Sequence, residues 1–109
     1  MSREAPPLVV LVAAAPTAPG VERTLADAEA EAEAGTPVSI LFTEAGLAAL
    51  ETLWPARLAA AGATQSMCAR SARARKVDPL KVLASVRWSS LTAFLRDLPP
   101  AARLWSVFP

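Results

Sequence analysis

Cys68 is the only cysteine in a chain of 109 residues that contains no histidine. Nucleophilic chemistry therefore has one strong candidate, and the composition removes the usual helpers around it. Without imidazole there is no Ser-His-Asp or Cys-His pairing and no histidine metal site. One thiol forms neither an intramolecular disulfide nor a thiolate metal cage. Four glycines in all leave no G-x-G-x-x-G fingerprint and no Walker loop. No cofactor and no metal are expected.

The segment around the thiol is Met67-Cys68-Ala69-Arg70-Ser71-Ala72-Arg73-Ala74-Arg75-Lys76. Cys68 is expected at the carboxyl end of a strand, opening a helix, on the sheet edge where ligands and catalytic groups collect in open α/β folds. Helix N–H groups and nearby guanidiniums both favour an anion, so both would lower a thiol pKa from about 8.5. Arg70, Arg73 and Arg75 are candidate anion stabilisers. Cations near a helix N-terminus oppose its dipole, a local conflict that an anionic sulfur would relieve. The other reading is a small buried hydrophobe beside solvated arginines. The residues by themselves favour that one.

The elements that must position Cys68 are legible in the hydropathy pattern. Leu8–Val12 is a continuous aliphatic run, as in a strand buried on both faces of a parallel sheet. Val21, Leu25, Ala28 and Ala32 recur at helical spacing, ended by Gly35 and Pro37. The acidic side chains on that helix spread around it and read as a solvated face. Val38–Thr43 is a second strand, and residues 44–62 are helical in two segments divided around Gly46 and Pro55. Strands follow at Ala63–Met67, Val86–Trp88 and Leu104–Phe108. Between them lie a helix at Ala69–Arg75 and an amphipathic helix capped by Ser89 or Ser90. Strands alternating with helices predict an α/β fold, three layers with a mostly parallel sheet of about five strands, in one domain spanning residues 1–109. Trp54, Trp88 and Trp105 read as core or subunit-contact residues.

Charge is split. Residues 1–66 carry three basic and eight acidic side chains, and residues 67–109 carry eight and two. The second half should present an electropositive surface, but no aromatic stacking motif accompanies it, so no nucleic-acid partner is expected. The longest apolar run, Leu8–Ala15, is strand-sized, and no membrane association is expected. Glu4 and the prolines interrupt what superficially looks like a leader, so a cytoplasmic location is expected.

Over nearly its whole length the chain resembles the DsrE/TusD family of small sulfur-relay proteins. The resemblance runs through the Leu8–Val12 strand, Gly20 and the following helix, Gly35 and the Pro37–Thr43 strand. It continues in Met67-Cys68, the short basic helix ending at Arg75-Lys76-Val77, the Trp88–Thr92 helix start and the final Leu104–Phe108 strand. Lys76 is a departure, standing where many relatives have Gly, and Lys tolerates φ > 0 much less readily. The connection between the second and third strands is compact, without a long gating loop.

The resemblance implies that Cys68 accepts sulfane sulfur as a persulfide and passes it to a partner protein thiol. It implies sulfur donor and acceptor proteins as partners, and a trimer or hexamer, homo- or hetero-oligomeric. Two rival classes remain. One is a non-catalytic scaffold subunit; the other is a single-cysteine redox protein whose resolving thiol comes from another molecule.

Overall fold

Leu8–Val12 forms the first strand, β1, with all five residues buried. This is what a strand in the interior of a two-sided sheet requires. The computed structural model describes residues 5–109, and Met1–Glu4, read above against a leader, lie outside them. After β1 come helix α1 (Val21–Glu33), strand β2 (Val38–Phe42), a 3₁₀ segment at Glu44–Glu51 and helix α2 (Trp54–Ala61). Strand β3 (Thr64–Cys68) leads directly into helix α3 (Ala69–Ala74). A short 3₁₀ turn at Pro79–Lys81, strand β4 (Arg87–Ser89), helix α4 (Leu91–Arg96) and strand β5 (Arg103–Val107) complete the described chain.

The five strands are all parallel, in the order β4-β3-β2-β1-β5. The fold is α/β, with helices on both faces of the sheet. On one face Leu8, Val10, Val12, Val38, Ile40, Phe42 and Met67 pack against Val21, Leu25 and Ala28 of α1 and Leu58 of α2. Full burial of one such aliphatic side chain stabilises the fold by about 1.5–3 kcal/mol. The opposite face is covered more thinly. Val9 and Leu11 point there, next to Phe94 and Leu98 and to Leu91 and Leu95 respectively. No residue of α4 is itself fully buried.

Helix ends follow chemistry that the sequence carries. Gly35 (φ 95) and Gly62 (φ 100) adopt the left-handed conformation after α1 and α2. In each case the next N–H reaches back, Thr36 to the Glu31 carbonyl and Ala63 to that of Leu58, both at 3.0 Å. Ala63 is thus consumed by the turn, and β3 starts one residue later than expected. The same closure follows α3: Lys76 has φ 54, and the Val77 N–H bonds the Ala72 carbonyl at 3.0 Å. The left-handed turn is made here by a lysine. Val86 likewise belongs to a turn, its N–H on the Leu83 carbonyl, so β4 runs over Arg87–Ser89 rather than Val86–Trp88. Ser90 is the cap of α4, accepting from the Ala93 N–H at 3.0 Å.

Candidate functional site

Three parallel strands deliver the site. Val12, Phe42 and Met67 occupy successive strands at one level of the register. The residues just beyond them therefore gather at the carboxyl edge of the sheet. Cys68 is the last residue of β3 and the N-cap of α3, with φ −71 and ψ 114. It pairs in register with Ser89, the end of β4. From these two strands the chain departs to opposite faces: α3 places Ala72 in the core beside α1 and α2, while α4 covers the other side. A crevice where neighbouring connections part is the usual ligand position in an open α/β sheet.

Thr43, immediately after β2, and Ser71, in the first turn of α3, meet there. Their hydroxyls lie 3.1 Å apart, and both side chains are buried. The Ser71 hydroxyl also donates to Glu44 Oε1 at 3.1 Å. Glu44 is exposed and holds a left-handed backbone, φ 50. The turn is fixed by Gly46, where a Cβ would overlap the Val12 carbonyl, and by the Gly46 N–H on the Thr43 carbonyl at 2.9 Å.

Cys68 is itself 7% exposed. Burial pushes its thiol up. The Ser71 N–H, the Ser71 and Thr43 hydroxyls and the Arg70 N–H outweigh that effect, and the pKa falls below the ordinary thiol value. Hydrogen bonds that favour the charged form act in this direction. Arg70 enters through its backbone, and its side chain, like those of Arg73 and Arg75, is exposed. None of these three arginines is ion-paired among the described residues. Arg75 lines a cavity of about 480 Å³ with Thr43, Glu44, Leu91, Leu95 and Phe108. Cys68, Arg70 and the start of α3 are thus brought together, whereas Arg73 and Arg75 lie further along the helix.

Thr43, Ser71 and Glu44 were not among the residues singled out from sequence. Ser71 had one available signal: it stands three residues after the cap, where a first-turn side chain reaches back toward the capping residue. No group of three or more metal-ligating side chains occurs among the described residues. No helix of the described chain is long and apolar enough to cross a membrane. In comparisons with known proteins, no family model and no curated protein matches the chain.

Proposed function

We propose that the protein is a sulfur carrier in which Cys68 holds sulfane sulfur as a persulfide and passes it to the thiol of a partner protein. The observation that carries this reading is the place of Cys68, at the carboxyl edge of the sheet and the start of α3, in register beside the residue that follows β2, Thr43, whose hydroxyl pairs with that of Ser71; the lowered pKa of the thiol agrees with it. The resemblance to the DsrE/TusD family supports it from the sequence side. In loading, the Cys68 thiolate attacks the terminal sulfur of a donor persulfide. A new S–S bond forms, the donor's S–S bond breaks, and the donor leaves as a thiolate. In unloading, the acceptor thiolate attacks the terminal sulfur and Cys68 is the leaving group. Neither step needs an external oxidant or reductant, and a leaving thiol of low pKa departs faster.

The partners of this reading are a donor protein, an acceptor protein and further copies or relatives of the chain, assembled as a trimer or hexamer in the cytoplasm. Exposed Leu91, Leu95, Leu104 and Phe108 supply apolar surface for such assembly. Arg70, Arg73 and Arg75 keep their candidate role as long-range anion stabilisers, and an electropositive approach to Cys68 would favour an anionic persulfide.

The 7% exposure of Cys68 favours a second reading, a structural cysteine in a scaffold subunit. Mass measurement after incubation with polysulfide or a loaded sulfurtransferase separates the two. The carrier gains the mass of sulfur at Cys68, loses it to dithiothreitol, and gains none as Cys68→Ser. It also hands the sulfur to an acceptor thiol faster than the denatured chain does. Loading without transfer, or no loading, sinks the carrier reading. A mixed disulfide or sulfenic acid at Cys68 in place of the sulfur adduct supports the redox alternative.

A further inference from the structure

We propose that two copies of the chain join edge to edge through β5, antiparallel, about a two-fold axis at Ser106. The inference rests on the assembly part of the reading above, whose symmetry and register it fixes, and is independent of the chemistry at Cys68. It begins from the backbone groups of β5. The Arg103 N–H bonds the Pro7 carbonyl at 2.8 Å, and the Val107 carbonyl accepts from the Ala13 N–H at 2.9 Å. Backbone groups alternate in direction along a strand, so Arg103, Trp105 and Val107 face β1. Leu104 and Ser106 then turn N–H and C=O to the open side, as does Phe108 where the strand is continued by one residue. Among the described residues nothing pairs with that side, because β5 ends the sheet.

An open edge is ordinarily blunted by shortness, a charge, a proline or a bulge. The opposite edge, β4, follows this rule: it is three residues long and carries exposed Arg87. β5 does not. It spans five residues, and from Leu104 to Phe108 it holds neither charge nor proline. Arg103, at its start, is engaged by Glu31 at 2.6 Å.

The strand is complementary to itself. Outward-facing residues must meet outward-facing residues, so the register moves only in steps of two. With Ser106 opposite its own copy, Leu104 faces the partner copy's Phe108 and Phe108 its Leu104, and each such pair exchanges two N–H···O bonds. Leu104 is 53% and Phe108 61% exposed in the single chain, and apolar–aromatic cross-strand pairs of this kind are favourable. One step away, Leu104 would face Ser106 and Phe108 would face Ala102. A two-fold axis brings like charges together, and this uncharged stretch has none to repel. A stable interface covers about 800 Å² of each partner, more than a short ribbon supplies. The remainder is adjacent: Leu91 and Leu95, both partly exposed, line one cavity with Phe108.

Cross-linking and sedimentation of the intact chain test this. In a Cys68→Ser background, Ser106→Cys should form a covalent dimer with diamide, because Cα atoms of a hydrogen-bonded pair lie about 5.5 Å apart, within disulfide reach. Leu104→Cys should not, since its own copy is four residues along the ladder, roughly 13 Å or more away. Ser106→Lys and Ser106→Glu should each weaken self-association by about tenfold or more, and an equimolar mixture should restore it as Lys meets Glu on the axis. The wild type should be even-numbered, a dimer or a hexamer containing three such pairs. A wild-type trimer overturns the proposal. So do an assembled chain whose Ser106→Cys variant fails to cross-link, preferential cross-linking of Leu104→Cys, and loss of assembly that mixing does not rescue. Each of these leaves assembly by another surface standing. A wild-type monomer overturns both and leaves the edge to an extended segment of another protein.

Discussion

Replacing Thr43 with Val removes one hydroxyl from the Cys68 cluster while keeping the shape of the side chain. Thr43 is buried and its hydroxyl lies 3.1 Å from that of Ser71, so water does not readily take its place. An intramolecular hydrogen bond is worth about 0.5–1.5 kcal/mol net. At about 1.36 kcal/mol per pKa unit, Thr43→Val should raise the Cys68 pKa by roughly 0.4–1 unit. The N–H groups of Ser71 and Arg70 remain, so the depression should shrink rather than vanish. Thiolate absorbance against pH reads the shift directly and does not depend on a reagent reaching a buried thiol. The same linkage appears in stability. Because the folded pKa lies below the unfolded value of about 8.5, ionised Cys68 contributes stability that is fully present above about pH 8.5. That contribution is lost as pH falls through the folded value. In Thr43→Val the rise of the urea midpoint across this window should be smaller than in wild type. An unchanged or lowered pKa would refute the assignment of the hydroxyl cluster as the cause.

Lys76→Gly should raise stability by about 0.5–1 kcal/mol: relief of a left-handed side chain is worth about 1–2 kcal/mol and is partly offset by the greater backbone entropy of Gly in the unfolded chain. A higher urea midpoint at unchanged slope would show it, and a lower midpoint would mean that the Lys76 side chain makes a compensating contact. The wild-type chain should sediment as a trimer or hexamer at micromolar concentration, alone or with a related chain. Leu91→Glu combined with Leu95→Glu should shift it toward monomer. A wild-type monomer that ignores related chains would end the assembly proposal.

Much of the fold was written in the chain, and the reasons differ by element. Leu8–Val12 is apolar throughout because β1 lies between β2 and β5 with both faces covered, and no other element has that composition. Helix ends were legible where Gly35 and Gly62 supply the left-handed turn. The start of β3 was displaced by one residue because Thr64-Gln65-Ser66 lacks apolar alternation. Its polarity reflects neighbours: Thr64 bonds Ser39 at 3.1 Å, and Gln65 donates to the Pro55 carbonyl at 2.8 Å. Cys68 at the junction of strand and helix was readable as a local pattern. Thr43 and Glu44 were not, because their partner Ser71 is 28 and 27 residues away and only the parallel register brings them together. The arginines drew notice as charge, yet what Arg70 contributes most directly to the thiol is an N–H that every residue but proline has.

The unequal cover of the two sheet faces has a kinetic consequence. A six-residue helix with no fully buried side chain closes one side, while α1 and α2 seal the other around a continuous apolar core. Amide protection in such a molecule should be graded: slowest to exchange in β1 and β2, fastest in α4 and the edge strands. Leu91 and Leu95 of α4 form one wall of the cavity that Thr43 and Glu44 share. The part of the protein expected to open at the lowest free energy therefore borders the cavity beside Thr43 and Glu44. Fluctuations of α4, far too small to unfold the sheet, would set how often that cavity widens.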